Sequence, residues 1–176
     1  RYAVLDWGPT LLGEWKGVSI HHAGWMVAAF EISGIVGMLV AGWATDRFFG
    51  GRGPRVCVIC MALATVFVAL FWGISQPPMW LATLLLGAAG FCIYGPQALV
   101  GIAAANIATK KAAATAVGFT GLFGYASTLV SGWGLGLLAQ HYGWNIAVGA
   151  LILIAIMGTL IFMAAWSAKA NGYDND

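Results

Sequence analysis

Between Ala23 and Ala44 the chain carries a single charged side chain, Glu31, among residues that are otherwise apolar or small. As a helix this run is about 33 Å long, enough to cross the ~30 Å hydrocarbon core of a bilayer. Five further stretches have the same character: Arg1 to Leu12, Val56 to Ile74, Met79 to Ile107, Ala112 to Ala139 and Trp144 to Trp166. None alternates with a period of two, and the longer ones exceed any strand. Inside lipid every backbone N–H and C=O must find its partner within its own segment, so the six stretches read as membrane helices.

Composition supports the bilayer as solvent. The chain is 61% hydrophobic and 8% charged, whereas soluble domains have about 25% charged residues. A net charge of +2 is too small for the electrostatic footprint of a nucleic-acid partner. Disordered tails and ordinary soluble enzymes are excluded on the same ground. The 25 glycines point to helices that approach closely. Span two has Gly34, Gly37 and Gly42, span five has Gly118, Gly121 and Gly124, and Gly132 and Gly136 form a GxxxG pair. Cys57-Val58-Ile59-Cys60 has CxxC spacing but apolar flanks and no second pair, so it reads as buried helix packing. No phosphate loop, HExxH pattern or nucleophile constellation occurs, so no enzyme, metal or cofactor is expected.

Orientation follows from the basic residues. Arg47, Arg52 and Arg55 lie between spans two and three, Lys110 and Lys111 between four and five, and Lys169 after six. These are six of the eight basic side chains, all on one side if every span crosses. That side is expected to be cytoplasmic, with the C-terminus on it. Trp15, Trp25, Trp80 and Trp144 fall near the opposite ends, where an aromatic belt belongs. The first stretch is only about 18 Å long, so it is expected to continue upstream of Arg1, placing Arg1 near mid-membrane.

That placement makes Arg1, Asp6 and Glu31 the chemically informative residues. An ionised group at such depth costs at least ~2.5–3.5 kcal/mol and requires a partner or a wet cavity. Arg1 and Asp6 are five residues apart and do not share a helix face, while Asp6 shares one with Tyr2. An unpaired Arg1 is a natural anion site, because its planar guanidinium binds phosphate or carboxylate bidentately. Tyr94-Gly95-Pro96 is expected to interrupt span four, with Tyr94, Gln97 and Tyr125 as candidate cavity residues.

The segment Gly42-Trp43-Ala44-Thr45-Asp46-Arg47, followed by Gly50, Arg52 and Arg55, resembles the G-xxx-D-R/K-x-G-R/K-R/K loop of the major facilitator superfamily. Lys110 through Tyr125, Arg1 through Thr10 and Tyr94-Gly95-Pro96 together resemble the organophosphate:phosphate antiporter family. The resemblance implies an all-α integral membrane protein in which residues 1–176 form helices seven to twelve of twelve, partnered by an N-terminal half. It implies exchange of an organic phosphate, glycerol-3-phosphate first among candidates, for inorganic phosphate in a bacterial inner membrane. A hexose phosphate or phosphoglycerate carrier, or a phosphate-ester sensor of the same fold, is the alternative. By the same resemblance Arg1, Tyr2, Tyr94 and Tyr125 bind substrate. Asp6 and Glu31 join a salt-bridge network with a lysine of the other half. Gly42, Asp46, Arg47, Arg52 and Arg55 form a cytoplasmic gate. Ala103-Ala104-Ala105-Asn106 and Thr109 depart from the glycerol-3-phosphate pattern.

Overall fold

The computed structural model describes residues 1–108 and 111–167. Among these, all regular structure is helical: α1 (Tyr2–Lys16), α2 (Ile20–Phe49), α3 (Gly53–Gly73), α4 (Met79–Ile107), α5 (Ala113–Leu129), α6 (Leu135–Tyr142) and α7 (Trp144–Ala164). A π-helical turn, Val130–Gly134, joins α5 to α6, so these three pieces form one span, Ala113–Tyr142. Among the described residues five helices are long and apolar enough to cross a membrane, and α1, at 15 residues, is shorter. Lys110, Lys169 and Thr109 fall outside the described residues.

Several helix ends differ from the sequence expectation, each for a local reason. The first helix does not stop at Leu12 but continues through Glu14 to Lys16, where Gly17 closes it in the left-handed conformation (φ 67°). Both polar residues are satisfied at this end of the bundle. Lys16 Nζ donates to the Ile74 carbonyl at 2.5 Å and lies 4.0 Å from the Trp15 ring centre. Glu14 accepts from Trp144 Nε1 at 2.8 Å. The second helix runs past Ala44 to Phe49, so Asp46 and Arg47 sit on its last turns and not in a loop. Gly50 (φ 56°) and Gly51 (φ 76°) make the actual turn. The fourth helix is continuous through Pro96. That proline removes one backbone donor without ending the helix.

The contacts sort the six spans into two ends. Trp72 at the end of α3 donates to Asn145 Oδ1 at the start of α7 (3.2 Å), at the same end as Glu14 and Lys16. At the other end Arg55 Nε donates to the Trp166 carbonyl (3.5 Å), with its guanidinium 5.4 Å from the Trp166 ring. Arg47, Arg52 and Arg55 thus share an end with the close of α7, as the alternation of spans requires.

The core lies where α2 crosses α4. Met26, Phe30, Leu85, Leu86 and Tyr94 are buried there with Leu12 of α1 and Phe71 of α3. Glycine permits the crossing. A Cβ on Gly37 would collide with the Phe91 backbone, and one on Gly90 with the Phe30 carbonyl. On Gly95 it would lie 2.7 Å from Ala41 Cβ. The Gly118, Gly121 and Gly124 strip meets nothing within 4 Å, so within the described residues it is not the packing surface. The Gly132/Gly136 pair instead receives α1: Trp7 Nε1 donates to the Gly132 carbonyl at 2.9 Å, and the Trp7 ring covers Gly136.

Gly37→Ala is expected to destabilise by about 1–3 kcal/mol, because backbone and not a rotatable side chain opposes the added methyl. Gly149→Ala, on open helix surface, stays within about 0.5 kcal/mol. Thermal unfolding in detergent compares the two.

Candidate functional site

Glu31 sits on α2 about 16 Å from its Ile20 end, at a depth where a lone carboxylate is not tolerated. Its apolar neighbours Phe30 and Gly34 fix what surrounds it. Phe30 is fully buried and meets the Tyr94 ring edge-on at 6.1 Å between centroids. Gly34 leaves room for that same ring, since a Cβ there would lie 2.5 Å from Tyr94 Cδ2. The small residue on α2 therefore admits Tyr94 of α4 beside Glu31. The Tyr94 hydroxyl donates to Glu31 Oε2.

The same oxygen accepts from Arg1 Nη2 at 3.4 Å, the one ion pair among the described residues. The Arg1 guanidinium also lies 4.6 Å from the Tyr94 ring centre and 5.6 Å from that of Tyr2. A cation over an aromatic face is favoured by the ring quadrupole, more so where water is scarce. Both charged side chains retain a little over a quarter of their exposure. Two polar atoms, Arg1 Nε and Glu31 Oε1, are buried without a partner. The cluster is thus charge-balanced but has unused hydrogen-bonding capacity of both signs.

The expected site residues divide. Arg1, Glu31, Tyr94 and Tyr2 come together. Tyr125 joins through Tyr2, with ring centroids 6.4 Å apart, and is largely exposed. Asp6 does not join: it is exposed and faces Gly132 of the π-helical turn. Gln97 is also exposed. Asp46 and Arg47 are exposed on the end of α2, and Arg52 precedes α3. Arg1 is not the unpaired cation that spacing suggested, and the partner of Glu31 within the chain is Arg1. Sequence reasoning missed that pair because the residues stand 30 positions apart on helices with no polar stripe. It also missed the Trp7–Gly132 bond, for which the only signal was glycine density.

Glu31→Ala and Tyr94→Phe each remove one partner of the hydroxyl–carboxylate bond. Their effects on thermal unfolding are therefore expected to be non-additive, with a coupling of about 0.5–3 kcal/mol in the double-variant cycle. Simple additivity would show that the two side chains act independently.

The sequence model of the Major Facilitator Superfamily matches residues 7–172. A probable hexose phosphate transport protein of Chlamydia pneumoniae is 38% identical over 96% of this chain and 37% of its own length. A glycerol-3-phosphate transporter of Haemophilus influenzae is 35% identical over 97% of this chain and 40% of its own. The membrane sensor protein UhpC of Salmonella typhimurium is 33% identical over 97% and 38%. The chain therefore spans less than half the length of the curated relatives it matches.

Proposed function

This chain belongs to the major facilitator superfamily, and from that premise we propose that it forms helices seven to twelve of a twelve-helix carrier that exchanges an organic phosphate for inorganic phosphate across a bacterial inner membrane. The observation that carries the reading is the half-buried guanidinium of Arg1, held between Glu31 and two tyrosine rings at mid-helix depth. Relatives named for hexose phosphate and glycerol-3-phosphate support the ligand class. Both kinds of ester present the same phosphate head, and so does inorganic phosphate. A site built on the head group takes all of them and leaves the organic part to be read by other residues.

In this reading Arg1 binds the phosphate through its planar fork. Glu31 neutralises Arg1 when the site is empty, and Tyr94 holds the carboxylate in place. An arriving dianion competes with Glu31 for the guanidinium. The exchange of one anionic partner for another frees α2 from α1, and the two halves of the carrier rock around the site. Glu31 in the cluster and Asp6 apart from it, beside Gly132, are the coupling acids, Tyr2 and Tyr125 line the approach, and Gly42, Asp46, Arg47, Arg52 and Arg55 form the gate at the cytoplasmic end. The C-terminus lies on that same side. Glycerol-3-phosphate is the first substrate to test, with hexose 6-phosphate beside it.

Arg1→Lys is expected to lower exchange of labelled phosphate in proteoliposomes of the full-length protein by about tenfold or more, because a point charge replaces the fork. Unchanged exchange would remove Arg1 from the mechanism. The sensor relative makes a second outcome informative. Saturable phosphate-ester binding by the wild-type protein without counterflow would identify a sensor.

A further inference from the structure

Beside the Arg1 cluster lies a second compartment of opposite character, partly open to the outside of the bundle. A cavity of about 230 Å³ lies between α1, α3, α4 and α7. Leu85, Ala89 and Ile93 line it from α4, Phe67 from α3 and Leu151 from α7, and Arg1 is the only charged residue in its wall. An apolar cavity of roughly 150 Å³ is enough to hold one benzene molecule and stays dry when empty. This one is larger, and it adjoins a guanidinium whose Nε is buried without a partner. Ile93 on its wall directly precedes Tyr94 of the polar cluster, so the two compartments meet at Arg1 and share one stretch of α4.

We infer that the site takes, beside its polar substrates, phosphate monoesters with a short alkyl or aryl group, the phosphate on Arg1 and the apolar group in this cavity. Charge complementarity selects the head and apolar burial selects the tail. The proposal rests on the phosphate-binding reading of Arg1 and adds a subsite that discriminates among esters by their carbon skeleton. Such a ligand wedges α1 against α3, α4 and α7. It therefore acts as an inhibitor that occupies the site without crossing. A sugar phosphate gains nothing from the cavity, because its hydroxyls would lose their hydrogen bonds to water there.

The test uses full-length protein in proteoliposomes exchanging labelled inorganic phosphate, with methyl, propyl, hexyl and phenyl phosphate as competitors. Inhibition is expected to tighten by about two- to fourfold per added methylene, and phenyl phosphate to outcompete methyl phosphate. Ala155 lines the cavity from α7, not from the helix that follows Arg1, and Ala155→Leu fills part of it. This variant should keep inorganic phosphate exchange and flatten the chain-length series. A flat series in a wild-type protein that exchanges phosphate overturns the subsite while leaving the carrier reading standing. A steep series that Ala155→Leu does not alter also overturns it, by placing the tail elsewhere. Absence of phosphate exchange and binding in the wild type overturns the underlying reading instead.

Discussion

One carboxylate organises this bundle. Glu31 lies far inside a helix that is otherwise apolar, and its charge is tolerated only where other helices bring partners to it. Arg1 of α1 supplies the countercharge and Tyr94 of α4 the hydroxyl, both on a single oxygen. Three helices must therefore converge at one depth. The remaining core follows from that requirement. Phe30 seals one side of Tyr94, Gly34 leaves space for its ring, and Gly37 and Gly90 let the α2 and α4 backbones nearly touch. A helix pair carrying larger residues at these positions would hold Tyr94 too far from Glu31 to reach it.

How much of this was legible from sequence depended on the kind of force involved. The five long spans and their approximate extents are legible because transfer into lipid is a sum over residues and needs no knowledge of neighbours. Met79–Ile107 was bounded correctly for that reason. Ends set by individual contacts were not. Glu14 and Lys16 look like breakers, yet α1 continues because Trp144 and the Ile74 carbonyl satisfy them. Asp46 and Arg47 look like loop residues, yet the helix ends only where two glycines adopt positive φ. The π-helical turn at Val130–Gly134 left no sequence mark beyond glycine spacing.

Helix faces were the least legible feature. In water, an amphipathic stripe tells which side of a helix is buried. In a bilayer both lipid and protein interior are apolar, so leucine on one face carries no such information. The chain shows the consequence in its glycines. Gly118, Gly121 and Gly124 form the most regular strip, yet they meet nothing among the described residues, while the less regular Gly34, Gly37, Gly90 and Gly95 carry the tight crossing. Charged residues are the better guide, because their cost in lipid allows few positions. Glu31 needs a partner for this reason, although the sequence does not say that the partner is Arg1.

If Arg1 binds the anion as proposed, its pairing with Glu31 bears on how that anion is held and released. A bare guanidinium in a low-dielectric cavity would attract a phosphate dianion strongly, since Coulomb attraction rises as the effective dielectric falls. Binding of that strength speeds loading but slows release, and a carrier must do both. A carboxylate already on the guanidinium changes the balance. The incoming anion gains only the difference between its own contact and that of Glu31, and release is assisted by the return of Glu31. At 3.4 Å the Arg1–Glu31 contact is long for an ion pair, and Glu31 Oε1 has no partner, so the carboxylate occupies the site without saturating it. The Tyr94 hydroxyl, bonded to the same carboxylate, would keep it poised nearby in the proposed anion-bound state. In the proposed carrier, Glu31 would set the strength and reversibility of binding, and Arg1 its sign.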